Sequence, residues 1–276
     1  MISVDEAQAI IVDALANAPA EPCELPAAHG RVLAEPLCAD RDQPPFDRVM
    51  MDGVALRFSA FAGGRRRFTV QETQGAGQPA SVLASDAHCV EIMTGAALPE
   101  GCDCIVPVEQ LAVRDGVVEL VNDDGVASGR FVHRQASDYC RGDVLLPSGT
   151  RLRAPELAIA ASVGAARLSV ARRPRIAVVA SGDELVDVGD PVAPFQLRRS
   201  NDYALAGALA GRGFDTPPRF HVRDDPSAIE ALIDDLLSRF DVLVLSGGVS
   251  MGKYDYLPGV LENLSVDVRF HRVAQR

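Results

Sequence analysis

The chain has 276 residues, of which 47% are hydrophobic and 24% charged, with a formal net charge of −11. That length suits about two to three compact units, and the acidic balance argues against a nucleic-acid-binding surface, which needs a basic footprint. No apolar stretch approaches the roughly 18 residues of a membrane span, and the start, Met1-Ile2-Ser3-Val4-Asp5-Glu6, lacks the segments of a signal peptide. The expectation is a cytoplasmic protein with no membrane or nucleic-acid partner. Any anionic ligand must then be held by local arginines, backbone amides or a metal ion.

Val4 to Asn17 predicts an amphipathic helix, with Val4, Ala7, Ile10, Ile11 and Leu15 on one face and Asp5 and Glu6 in the first turn, where they suit the dipole. Residues 18–45 are rich in Pro and Ala, and Gln43-Pro44-Pro45-Phe46-Asp47 forces an extended, turn-like backbone. From 46 to 137 short β-like runs (Phe68–Val70, Cys89–Met93, Cys104–Val108, Val117–Val121) alternate with Gly, Pro and Asp turns, predicting a small β-rich domain. Arg65-Arg66-Arg67 reads as a solvated face. In 138–171 one helix is expected at Pro155–Val163, ended by Gly164. This texture suggests a discontinuous linker domain (1–45 and 138–172) interrupted by the β-rich domain 46–137.

From Arg173 the pattern alternates: strand 175–180, helix 201–211, strand 218–222, helix 226–239, strand 241–245. Asp224 or Asp225 can cap the second helix, Pro226 suits its first position, and Ile229, Leu232, Ile233 and Leu236 form its stripe. This predicts a doubly wound parallel sheet with right-handed crossovers over 173–276. Val266–Arg276 reads as a last strand leading nowhere, hence the expectation of an incomplete α/β domain in a truncated chain.

The chemistry concentrates in two places. Asp241–Leu245 runs into Ser246-Gly247-Gly248-Val249-Ser250, with Asp255 soon after. Arg175–Ala180 runs into Ser181-Gly182-Asp183-Glu184. Glycines let a backbone approach a ligand, and successive N–H groups form a nest for an oxyanion. In open parallel sheets ligands bind outside the carboxyl ends of the strands. If the two strands are neighbours, Glu184 and Asp255 face one crevice, a phosphate-plus-metal constellation. The six cysteines (23, 38, 89, 102, 104, 140) show no Cys-x-x-Cys pair and read as buried free thiols. The five histidines are too dispersed for a zinc site.

Taken in order, these residues resemble the molybdopterin molybdenumtransferase family, MoeA-like proteins that include gephyrin's E domain. The resemblance rests on Pro44-Pro45-Phe46-Asp47 with Met51-Asp52-Gly53, Ile92-Met93-Thr94-Gly95-Ala96 with Leu98-Pro99-Glu100-Gly101, and Ser181-Gly182-Asp183-Glu184-Leu185. Arg223-Asp224-Asp225-Pro226 and Ser246–Ser250 with Asp255-Tyr256 continue it. It implies an elongated α/β plus β-rich subunit: a linker domain, an inserted β-rich domain and a molybdopterin-binding-type α/β domain. It also implies a homodimer, and insertion of molybdate into adenylylated molybdopterin with release of AMP and use of Mg²⁺. The substrate comes from a molybdopterin adenylyltransferase upstream. The resemblance carries over Asp52, Glu184 and Asp255 as catalytic, with Glu184 and Asp255 as metal ligands. It carries over Thr94, Asp138, Ser181, Gly182, Asp224, Ser246, Gly247, Gly248, Ser250, Arg272 and Arg276 as substrate-binding. For the acids taken singly a solvated, capping or turn role is the plain reading, strongest for Asp224 and Asp138.

The chain departs from the family pattern at several points. Val49 and Met50 stand where a small polar residue is usual, Ala136-Ser137 replace Gly-Glu before Asp138, and Arg199 replaces an acid before Ser200-Asn201. Arg272 and Arg276 stand for two lysines, trading a point charge for a planar fork, and a usual Pro-Gly-Lys-Pro segment does not follow. The expectation is a chain that binds the adenylate but transfers molybdenum poorly. Two alternatives are a non-catalytic pterin- or partner-binding scaffold of the same fold, and a molybdopterin adenylyltransferase. The adenylyltransferase's loop usually reads Gly-Gly-Thr-Gly, where this chain has Gly-Gly-Val-Ser.

Overall fold

A computed structural model describes residues 1–15, 17–248 and 256–274. Its backbone contacts group the chain into two units, Met1–Ala34 with Arg167–Arg276, and Glu35–Ala166.

In the first unit the opening helix spans Val4–Ala14. The Ser3 hydroxyl accepts the Glu6 N–H at 3.2 Å while the Glu6 carboxylate accepts the Ser3 N–H at 2.7 Å, a reciprocal cap. The helix ends three residues short of the expected Asn17. Pro19 disfavours helical backbone at Ala18, and the chain has already turned extended at Leu15. Only Ala7 of its face is buried; Val4, Ile11 and Leu15 are exposed. Ala20–Glu24 then pairs antiparallel with Arg167–Ala171.

The rest of this unit is a three-stranded parallel sheet in the order Arg219–Val222, Ile176–Ser181, Val242–Ser246. The central strand is buried along its length, as a strand covered on both faces must be. Helix Asn201–Ala210 follows the central strand to one side, and helix Pro226–Arg239 crosses back to the other. Right-handed crossovers running in opposite directions put these helices on opposite faces. Asp225 caps the second helix, accepting the Ala228 N–H at 2.8 Å. Its Ile229, Ile233 and Leu236 pack with Val179 and Val222.

The last strand expected, Val266–Arg276, does not form among the described residues. Val273 makes a single parallel bridge with Ile2, where the Ile2 N–H donates to Arg272 O at 3.0 Å and the Ala274 N–H donates to Ile2 O at 2.7 Å. One bridge gives no ladder, so alternation in the sequence has no neighbouring strand to satisfy it.

In the second unit a six-stranded mixed sheet runs Cys104–Pro107, Gly53–Leu56, His88–Ile92, Arg67–Gln74, Val117–Leu120, Leu111–Arg114. Each face carries its own core. One gathers Val49, Ala55, Val90, Ile92 and Ile105, and the other Val54, Leu56, Phe68, Cys89, Val106 and Val118. Gly53–Leu56 escapes sequence reading because all four residues are buried, which erases the period of two. Its first residue must be glycine, since a Cβ there would lie 2.0 Å from the Val106 carbonyl oxygen. The expected Pro155–Val163 helix spans Ala154–Ser162, with the Glu156 carboxylate accepting the Arg153 N–H at 2.9 Å. Arg66 is less solvated than expected: its guanidinium lies 4.0 Å from the Phe61 ring centroid and bonds Asp123.

Candidate functional site

The two strands singled out by their Ser-Gly turns are neighbours, with Ile176 opposite Val242 through to Ala180 opposite Ser246. The chain leaves the central strand to one side and arrives at Val242–Ser246 from the other, so the strand ends part and leave a crevice. A cleft of about 240 Å³ opens there, lined by Ser181, Glu184, Arg198, Arg199, Ser200, Asn201, Asp202, Ser246 and Gly247 among others.

Glycine is required at Gly247, because a Cβ would lie 2.4 Å from the Ser181 carbonyl oxygen, backbone against backbone. A Cβ at Gly248 would lie 3.6 Å from the Ser181 side chain, an ordinary contact. Gly182 faces the Glu184 carboxylate, and a Cβ there would fall 2.6 Å from Oε2. Ser181 Oγ donates to Asp224 Oδ1 at 2.7 Å. Asp224 therefore does not cap the following helix, a job held by its neighbour Asp225.

One expectation for the first turn changes. The Gly182 N–H donates to Val222 O at 3.3 Å, so it is not a free member of an anion nest. Unsatisfied donors are offered instead by the start of the helix expected at 201–211. Helix Asn201–Ala210 starts at the cleft, and no side chain caps its first amides. A helix N-terminus of this kind is a ready anion site. Asn201 Nδ2 donates to Ser246 Oγ at 3.3 Å, and Arg198 and Arg199 line the same wall. Beneath them Asp202 is fully buried, 3.8 Å from both Arg199 Nε and Arg219 Nη1. Its two carboxylate oxygens and those two nitrogens have no hydrogen-bond partner among the described residues. Arg199 also pairs with Asp187 at 2.9 Å, and the Arg219 guanidinium lies 3.3 Å from the centroid of the Tyr203 ring.

Among the described residues no group of three His, Cys, Asp or Glu side chains forms a metal cage. Mg²⁺ seldom needs one: it usually takes one or two carboxylates and completes its shell with water and substrate phosphates. Glu184 lines the cleft and fits that pattern.

In the second unit Asp52 and Thr94 are brought together. Asp52 Oδ1 accepts the Thr94 N–H at 2.6 Å and its hydroxyl at 2.7 Å. These bonds, the hydroxyl's first, hold the Asp52 carboxyl below the usual carboxylate range. Asp138 lies in a loop of the same unit, its N–H on Gln43 O at 2.9 Å and its carboxylate 3.0 Å from His133 Nε2. Arg272 is exposed, and Ser250, Asp255 and Arg276 lie outside the described residues.

A crevice closed by a tight glycine approach at the carboxyl ends of parallel strands, on a chain that also carries a β-rich unit, defines an α/β protein with a cleft at the place where such sheets bind ligands. Two sequence families match it: the MoeA N-terminal region (domain I and II) over residues 2–164, and the probable molybdopterin binding domain over 177–276. The chain is 42% identical over its whole length to the molybdopterin molybdenumtransferase of a Synechocystis species, of which it covers 71%. It is 33% identical over 252 residues to that of Bacillus subtilis, of which it spans 59%, less than two thirds. It superposes on the molybdopterin biosynthesis MoeA protein of Pyrococcus horikoshii with a TM-score of 0.83 at 27% identity, covering 99% of this chain and 69% of that one. The chain belongs to the molybdopterin molybdenumtransferase family, the MoeA-type transferases of molybdenum cofactor biosynthesis.

Proposed function

We propose that the chain inserts molybdate into adenylylated molybdopterin, cleaving the adenylate and releasing AMP. The observation that carries this reading is the cleft between the ends of Ile176–Ser181 and Val242–Ser246, where the start of helix Asn201–Ala210, Asn201 and Arg199 meet the close-packed Ser181–Gly247 pair. An oxyanion gains there from the helix N-terminus and from a guanidinium. The adenylate's phosphates are assigned to this cleft, with Ser181, Gly182, Asp224, Ser246, Gly247, Gly248 and Ser250 shaping or contacting it. Glu184 and Asp255 are the residues that would hold Mg²⁺, which would supply charge neutralisation for the phosphates and for AMP as it leaves.

Asp52 is assigned as a third catalytic carboxylate beside Glu184 and Asp255, kept ionised by Thr94, with Asp138 as a substrate contact. Arg272 and Arg276 are assigned to the molybdate oxyanion. The partner in solution is a second copy of the chain, supported by the exposed Val4, Ile11, Val12 and Leu15 of the first helix. The setting is cytoplasmic, downstream of a molybdopterin adenylyltransferase. No helix of the described residues is long and apolar enough to cross a membrane.

The test is reconstitution of a cofactor-free molybdoenzyme with the chain, Mg²⁺, molybdate and adenylylated molybdopterin, following AMP release by chromatography. AMP release that requires molybdate and is lost on Glu184→Gln is expected. AMP release that ignores molybdate, or none at all, overturns the reading.

A further inference from the structure

A second cavity is roomier than the phosphate cleft. It lies within the Glu35–Ala166 unit, on the sheet face that carries Val54 and Val118, and its volume is about 460 Å³. Val54 and Val118 are buried beneath it. Val70, Met93, Val108, Leu111 and Val113 form the rest of its apolar lining, with Gly116 also at its edge. Three of these are unusually open for apolar residues: Val108 is 53%, Val113 60% and Met93 37% exposed. The volume falls within the range of small-molecule sites.

The lining holds two titratable groups, Asp52 and Glu91, and no cation. Glu91 stands opposite Val54 in the strand register. Each carboxylate is pinned through one oxygen and keeps the other uncommitted. Asp52 Oδ1 accepts both Thr94 donors, and Glu91 Oε2 accepts the Thr73 hydroxyl. No bond within the described residues engages Asp52 Oδ2 or Glu91 Oε1.

This combination rejects some ligands and selects others. An adenylate phosphate or a molybdate ion would meet two carboxylates and an apolar floor with no cation in the lining to compensate. A flat heterocycle with neighbouring N–H donors along one edge would bury its faces against Val, Leu and Met side chains and give those donors to a free carboxylate oxygen. A thioether such as that of Met93 also makes favourable contacts with aromatic rings. We infer that this cavity receives the amino-pyrimidinone ring of a pterin, whose 2-amino and ring N–H groups present such an edge. The inference rests on the functional reading above for its choice of pterin, but the site belongs to the Glu35–Ala166 unit and is tested apart from the phosphate cleft.

The test titrates the full chain with 6-hydroxymethylpterin, following quenching of pterin fluorescence, and separately with AMP by calorimetry. Val113→Asp is expected to weaken pterin binding at least about tenfold, and Glu91→Gln several-fold, with AMP binding unchanged. Lumazine, which carries a carbonyl in place of the 2-amino group, should bind about tenfold more weakly than the pterin. Thermal melts check folding, and Met93→Ala serves if Val113→Asp melts early. Four results would each overturn the inference: no quenching up to millimolar pterin, equal binding by the variants, equal binding of lumazine, or displacement of pterin by AMP. AMP binding without pterin binding removes this site and leaves the functional reading standing. Pterin binding with the expected variant pattern but no AMP binding does the reverse.

Discussion

Asp52 places one carboxylate oxygen on two donors of a single residue, the backbone N–H of Thr94 at 2.6 Å and its hydroxyl at 2.7 Å. The two residues are 42 positions apart; Met51-Asp52-Gly53 leads into the strand Gly53–Leu56 and Met93-Thr94-Gly95 follows the strand His88–Ile92, and the two strands pair antiparallel with Gly53 opposite Ile92. Sheet register, not local sequence, makes the contact.

Thr94→Val should therefore raise the Asp52 pKa toward the ordinary carboxylate value, because the hydroxyl is the largest of the causes that lower it. The backbone N–H remains, so part of the depression survives. A lowered folded-state pKa contributes stability above the unfolded value and loses it as pH falls through the folded one. The variant should show its loss at higher pH than the parent. Carboxyl carbon NMR across an acid titration measures the shift, and an unchanged midpoint would contradict the assigned cause.

Gly247→Ala and Gly248→Ala should separate two kinds of glycine requirement. At Gly247 a Cβ would collide with the Ser181 carbonyl at 2.4 Å, and neither backbone can move without parting the strands that frame the cleft. At Gly248 the nearest contacts are ordinary, 3.6 Å, and only the φ of +67° opposes a side chain, at a cost of about 1–2 kcal/mol. AMP affinity should collapse in the first variant and fall modestly in the second. Calorimetry on both, with equal losses, would dismiss the close approach as the reason for the glycine.

The legible part of this chain was its periodic and punctuated part. Helix Pro226–Arg239 could be read from Asp225, Pro226 and the Ile229, Ile233, Leu236 stripe, and the neighbouring strands from their matching Ser-Gly turns. Gly53–Leu56 could not be read, since burial on both faces leaves no alternation. Leu111–Arg114 was missed as well, a four-residue edge strand that is only half covered. At the site, the acids and glycines were legible as motifs. The helix starting at Asn201 was legible as a helix but not as part of the site, because that depends on where the crossover lands it. Asp202 drew no sequence expectation at all; only the fold reveals that it is enclosed.

Asp202→Ala should destabilise the Met1–Ala34/Arg167–Arg276 unit by about 3 kcal/mol, the usual cost of removing one partner from a buried ionic group. It would leave Arg199 and Arg219 facing each other across an emptied site, with Asp187 the remaining counter-charge on Arg199. Urea unfolding measures the loss. A change within about 0.5 kcal/mol, the range of ordinary surface substitutions, would show that solvent compensates the pair.

The thiols predict an alkaline limit on the β-rich unit. The sequence suggested six buried free cysteines, and four are buried, but Cys38 and Cys140 are exposed. Burial pushes the thiols of Cys89 and Cys102 up to about 12 and that of Cys104 to about 11, with the charges of Glu91 and Asp103 adding to the rise at Cys89 and Cys102 respectively. An unfolded cysteine loses its proton near 8.5. Above that pH the unfolded chain sheds protons the folded chain keeps, so stability is fully present below about 8.5 and declines as pH rises toward the folded values. Melts of the Glu35–Ala166 transition between pH 7 and 11 should therefore fall steadily, and Cys89→Val, which fits a buried site without a titrating proton, should flatten the decline. At pH 8 a disulfide reagent should label Cys38 and Cys140 quickly, and Cys89, Cys102 and Cys104 only at the rate of unfolding. Rapid labelling of those three, or a melting temperature independent of alkaline pH, would mean that these sulfurs reach water in the folded state.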